Sequence, residues 1–122
     1  MKYLYIPFLL VVLASSCKPK QLPTVMKVTK DAVLLKCSHM TSKAELQKFK
    51  AILSQMHGVK MDDSATSYTE TGTLKTFQSS LTKEGNTLAT INADLMSLQY
   101  KYYGYELTFQ DGEITHIKAG SF

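Results

Sequence analysis

Thr41 to Gly58, TSKAELQKFKAILSQMHG, carries the strongest structural instruction in the chain. Ser42 followed three residues later by Glu45 makes a capping box, in which the hydroxyl accepts from the Glu45 amide and the carboxylate accepts from the Ser42 amide. Beyond it Leu46, Phe49, Ile52, Leu53 and Met56 recur at helical spacing, while Lys43, Gln47, Lys48, Lys50 and Gln55 fall on other faces. Gly58 supplies the stop. The spacing predicts one amphipathic helix over about residues 43–56, with a single apolar stripe suited to lying on a sheet.

The flanking segments read as that sheet. Ala32 to Cys37, AVLLKC, is a short apolar run of strand length, and its apolar residues on both faces suit a central strand. After the helix, residues 59–61, 64–71, 73–82, 87–93 and 105–119 are rich in Thr, Tyr, Val and Ile. They are broken by Gly72, by Lys83-Glu84-Gly85-Asn86 and by Asp111-Gly112. Asp111-Gly112 is the best turn, because both central residues of a type I′ hairpin need positive φ; strands are expected near 105–110 and 113–118. Asn92 to Tyr103 fits either a helical turn capped by Asn92 or Asp94, or a strand. The expected fold class is α+β, one amphipathic helix packed on a mainly antiparallel sheet, after an N-terminal signal segment.

Composition sets the outer bounds. A chain of 122 residues with 44% hydrophobic and 20% charged residues, 6 Gly, 3 Pro and 2 Cys has the balance of one small globular domain. Collagen, long disorder, a disulfide-stapled miniprotein and a multidomain enzyme are excluded. All 14 basic residues are Lys. Base reading and bidentate phosphate clamping lean on Arg, so no nucleic-acid partner is expected. The charge is also uneven: residues 17–60 hold nine Lys against Asp31 and Glu45, whereas residues 61–122 hold four Lys against eight acids.

The N-terminus reads as an export signal. Met1-Lys2-Tyr3 is a positive start, and Leu4 to Leu13 is an uncharged apolar stretch leading into Ala14-Ser15-Ser16-Cys17. As a helix that stretch spans only about 15 Å against a hydrocarbon core of about 30 Å, so it fits a cleaved signal rather than a membrane span. Cys17 directly after small residues resembles the lipobox of bacterial lipoproteins, in which the Cys is acylated and begins the mature chain. Ala14 stands where that family usually has a large aliphatic residue, and Leu13 lies one position further back. Ala14-x-Ser16 also satisfies ordinary signal cleavage, which leaves a plain secreted protein as the alternative, with a Cys17 to Cys37 disulfide then open to it. The expected division is 1–16 signal peptide, 17–30 lipidated tether and 31–122 a single α+β domain. The tether carries Lys18, Lys20, Lys27 and Lys30, a basic tract placed to meet anionic headgroups or simply to be solvated.

Thr41 to Gly58, with the strand before it and Gly112-Glu113-Ile114 near the end, resembles a small envelope module. That module is associated with Bacteroidetes-type lipoproteins and with the C-terminal periplasmic extension of beta-lactam-sensor-like membrane metallopeptidases. The resemblance covers about half the chain and carries no catalytic residue. The zinc-peptidase motif of those enzymes is not in this sequence, so it implies a strand–helix–strands fold and an envelope setting, not peptidase activity.

Candidate chemistry is sparse. Cys37-Ser38-His39 places a thiol and an imidazole at a strand end, with His57 closing the helix, but zinc wants three or four ligands and a Cys-His nucleophile wants an orienting third group. Asp62-Asp63-Ser64 lacks the further oxygens of a calcium loop and reads as a solvated turn. No catalytic residue, metal or cofactor is expected. Tyr100, Tyr102, Tyr103 and Tyr105 form the most unusual stretch, either a contact surface or rings packed half in a sheet's core and half over its rim. The expected function is a non-enzymatic, lipid-anchored envelope protein, periplasm-facing, held to the membrane through Cys17 and binding a protein or peptide. The alternative is a secreted or tethered inhibitor or immunity protein that sets its acidic C-terminal part against a basic partner. A small hydrolase or metal-handling protein using Cys37, His39 and His57 is the remote third reading.

Overall fold

The computed structural model describes residues 21–97 and 101–122. Its elements run β1 (Val25–Val28), β2 (Ala32–Cys37), α1 (Lys43–His57), β3 (Lys60–Asp62), β4 (Ser67–Tyr68), β5 (Leu74–Lys83), β6 (Asn86–Asp94), β7 (Tyr103–Gln110) and β8 (Glu113–Ser121). Every strand pairing is antiparallel. One four-stranded sheet has the order β1-β2-β7-β8; in the other, β5 pairs β3 and β4 on one side and β6 on the other. The fold is therefore α+β, a helix with antiparallel strands.

Alternation along the strands tells where the core sits. Val33, Leu35 and Cys37 of β2, Phe77, Ser79 and Leu81 of β5, Ile91 and Ala93 of β6, and Tyr105, Leu107 and Phe109 of β7 all point inward. The sheets face one another there: the Tyr105 hydroxyl meets the Ser79 hydroxyl at 2.8 Å, and its ring stands edge-on to Phe77 at 6.3 Å. Leu46, Phe49 and Leu53 of α1 fill the same core.

Both ends of α1 are fixed. Ser42 accepts from the Glu45 amide at 3.1 Å while Glu45 accepts from the Ser42 amide at 3.0 Å, and Gly58 ends the helix in the left-handed region. The Lys43 amide donates to the Gly72 carbonyl and the Leu74 amide to that of Thr41, which tie the helix start to β5. At the far end the His57 ring stacks on Phe109 at 3.9 Å, and Nε2 lies 2.7 Å from the Thr29 carbonyl oxygen. Met56, assigned to the apolar stripe by its spacing, is 51% exposed; His57 takes the covering position over Phe109 instead.

Other departures have local causes. Val25–Val28, read as part of an extended tether, is the edge strand beside β2, with Val25 opposite Lys36 and Val28 opposite Val33. Residues 92–103, open between a turn and a strand, hold both: β6 runs to Asp94, which caps a single turn through the Met96 and Ser97 amides, and β7 begins at Tyr103. The Asp111-Gly112 turn does form, with both residues at positive φ.

Gly104 and Gly120 face each other in the β7–β8 ladder. A Cβ on Gly104 would stand 1.7 Å from the Leu35 carbonyl oxygen, inside the neighbouring backbone of β2. Glycine pairs of this kind let a sheet bend sharply. Gly104→Ala is expected to cost at least about 2 kcal/mol in urea unfolding or to abolish folding, since backbone must move to admit the methyl. Ser42→Ala, which removes only the cap, is expected to cost about 1 kcal/mol.

Candidate functional site

Among the four tyrosines singled out by sequence, the structure separates the roles. Tyr100 lies outside the described residues, as does Cys17. Tyr105 is fully buried and hydrogen-bonded to Ser79, so it belongs to the core and not to a contact surface, which corrects that member of the set. Tyr103 packs partly against the core, opposite Cys37 and Ser121. Tyr102 alone gathers further groups at the surface.

The Tyr102 hydroxyl donates to the Pro23 carbonyl at 2.6 Å, and the Phe122 amide donates to the Tyr102 carbonyl at 2.9 Å. The Lys36 ammonium lies 5.8 Å from the Tyr102 ring centre and 5.6 Å from that of Phe122; Lys118 lies 4.3 Å from the Phe122 ring. These separations lie within the reach of cation–π attraction. The result is a corner with two half-buried rings flanked by two cations. Its nearest acid on the same sheet is Glu106, opposite Lys118 and 3.4 Å from His116.

Chain entry is fastened at the same corner. Leu22 is buried, and its carbonyl accepts from the Ser38 hydroxyl at 2.5 Å. The Thr24 and Thr41 hydroxyls meet at 2.7 Å, and Thr41 in turn accepts from the Ser38 amide at 2.9 Å. Ser38 and Thr41 thus form a satisfied polar knot that grips residues 22–24. Sequence reasoning missed this knot, and it missed Lys36, Lys118 and Phe122. Alternation along β2 puts Lys36 on the face opposite Cys37, but no local signal brings Phe122 to Tyr102.

The remaining candidates are placed separately in the fold. Cys37 points into the core, and burial pushes its thiol up to about 12; a protonated buried thiol is a poor nucleophile. His39 has its Nδ1 buried without a partner. His57 is engaged at the Phe109 end. Among the described residues no three His, Cys, Asp or Glu side chains are grouped to hold a metal. Asp62 accepts from the Ser64 amide and hydroxyl, which hold its carboxyl below the usual carboxylate range, and Asp63 pairs with Lys50 at 2.9 Å. A shallow depression of about 230 Å³ beside them is lined by Ser64, Gln78, Ser80, Thr90 and Asn92. Its one ionisable lining group, Asp62, receives two hydrogen bonds from Ser64 on one carboxylate oxygen.

A further surface lies along β8. Ile114, Ile117 and Ala119 stand opposite Phe109, Leu107 and Tyr105, which are buried, yet Ile117 is 39% exposed and Ala119 is exposed. β6 passes within 8 Å of β8 between Cα atoms, although no ladder joins them among the described residues. Ile117 and Ala119 are therefore left uncovered, while Ile114 packs partly against the core. Comparison with protein-family models, with curated proteins and with solved structures finds no match for the chain.

The buried hydroxyl and thiol give a pH signature. Burial raises Cys37 from 9.0 to about 12 and Tyr105 from 10.0 to about 12. Both hold their protons more tightly in the fold, so the unfolded chain binds fewer protons above pH 9 and stability falls as pH rises toward 12. Urea midpoints are expected to be insensitive to these two groups below pH 9 and to decline above it. Tyr105→Phe is expected to lower stability by about 1 kcal/mol at neutral pH, because buried Ser79 loses its partner, and to make the alkaline decline shallower.

Proposed function

We propose that the chain is a non-enzymatic, lipid-anchored protein of the cell envelope, periplasm-facing, that binds a protein or peptide. Supporting the anchor is the sequence Ala14-Ser15-Ser16-Cys17 at the end of an apolar signal stretch. The entry of the chain into the domain at Leu22, five residues later, agrees with a short tether. The observation that carries the binding role is β8: Ile117 and Ala119 share the sheet face of the buried Leu107 and Tyr105 of β7 but stand exposed beyond the cover of the core.

An extended peptide or a partner's apolar strip laid along Ile114, Ile117 and Ala119 removes that surface from water. The gain scales with the apolar area still exposed, about 25 cal/mol per Å², so Ile117 contributes most. Cys37 is buried, His57 and Asp63 are internally partnered, and no three His, Cys, Asp or Glu side chains are grouped among the described residues, which favours recognition over chemistry.

A photo-crosslinking residue placed at Ala119 of the full chain in its native host is expected to give a discrete adduct, and Ile117→Lys in the same chain is expected to abolish it. The same crosslinker at Lys48, exposed on α1, serves as the comparison. Equal adducts at both positions, or none at Ala119, contradict a binding role for β8.

A further inference from the structure

We infer that the corner formed by Tyr102, Phe122, Lys36 and Lys118 is the face that this domain lays against an anionic bilayer. The inference rests on the lipid anchor proposed at Cys17, and it adds an orientation and a headgroup chemistry that the anchor alone does not supply.

Tether length is the first argument. Five residues lie between Cys17 and Pro23, and the six residue-to-residue steps span no more than about 20 Å even fully extended. A domain of about 100 residues has a radius of gyration of about 13 Å and hence a diameter of more than about 30 Å. An anchor on so short a lead cannot let the domain turn its opposite end to the membrane. Since Pro23 is held to Tyr102, and Tyr102 to Phe122, the end that must approach the lipid is this corner.

Side-chain chemistry is the second argument. A tyrosine ring partitions to the headgroup level through its apolar body and polar tip, and a phenylalanine beside it buries toward the acyl boundary. Lysine ammonium groups are drawn to anionic headgroups, and each one near such a surface strengthens association by about fivefold. Lys36, Lys118 and the exposed Lys101 surround Tyr102 and Phe122 in space or in sequence, and Lys18 and Lys20 precede them on the tether. Glu106, opposite Lys118, is the one acid of β7, so the cations of the corner outnumber it. The far end of β7, about 20 Å away along eight residues, carries Phe109 with His57 and Lys83.

The test uses the full lipidated chain reconstituted on vesicles of phosphatidylcholine alone, or of phosphatidylcholine and phosphatidylglycerol in equal parts. Lysine acetylation rates are read by mass spectrometry. On the anionic vesicles Lys36 and Lys118 are expected to react at least about fivefold more slowly than in detergent. Lys60 and Lys83, paired near the far end of the fold through Thr82 and Asn86, are expected to react at an unchanged rate. A chain that washes off both kinds of vesicle sinks the anchor and with it the orientation. A chain that stays bound while Lys36 and Lys118 react as fast as in detergent leaves the anchor standing and overturns the membrane-facing corner. Equal protection on both vesicle types contradicts the anionic preference.

Discussion

The approach of β7 to β2 at Gly104 is the constraint on which the architecture turns. The Leu35 carbonyl oxygen occupies the place where a side chain would begin, so only glycine lets the two backbones close to this distance. Gly120, directly across on β8, accompanies it at positive φ. On one side of this point β7 sends Tyr105 inward to bond Ser79 across the core; on the other, Tyr102, just before β7, holds Pro23. The two tyrosines are three residues apart and serve opposite ends of the account, one cohesion and the other placement.

A second local irregularity completes the surface corner. Counting back from the Asp111-Gly112 turn, an uninterrupted ladder would set Tyr102 across from Ser121. The shift between Thr108 and Phe109 leaves Thr115 as an extra residue, so Tyr103 pairs with Ser121 and Tyr102 reaches Phe122. Bulges of this kind re-aim side chains at the ends of ladders. Here one extra residue on β8 brings an aromatic terminus beside Tyr102 and under Lys36 and Lys118.

What could be read beforehand was whatever depends on short stretches of chain. The helix from its capping box and period and the hairpin at Asp111-Gly112 are both local in origin, and each is found in the fold. Val25–Val28 escaped because two prolines and several lysines nearby resemble a tether, whereas pairing to β2 decides its state. Met56 and Tyr105 were misplaced for a related reason: spacing gives a face but not how far the opposing sheet extends over it. The knot of Ser38 and Thr41 on Leu22 and Thr24 links residues 16 and 17 apart, and no pattern in either segment announces it.

Function follows the same division. The fold supplies a grip on the incoming chain at one end, uncovered Ile117 and Ala119 on β8, and no gathered chemistry among the described residues. These features suit a small module held close to a membrane and offering a side to a partner. The claim on which this rests is acylation of Cys17, and the most direct measurement is the intact mass of the N-terminal peptide recovered from the membrane fraction. A mature peptide beginning at Cys17 with added acyl mass is the expected result. An unmodified Cys17 recovered from the soluble fraction would contradict the account.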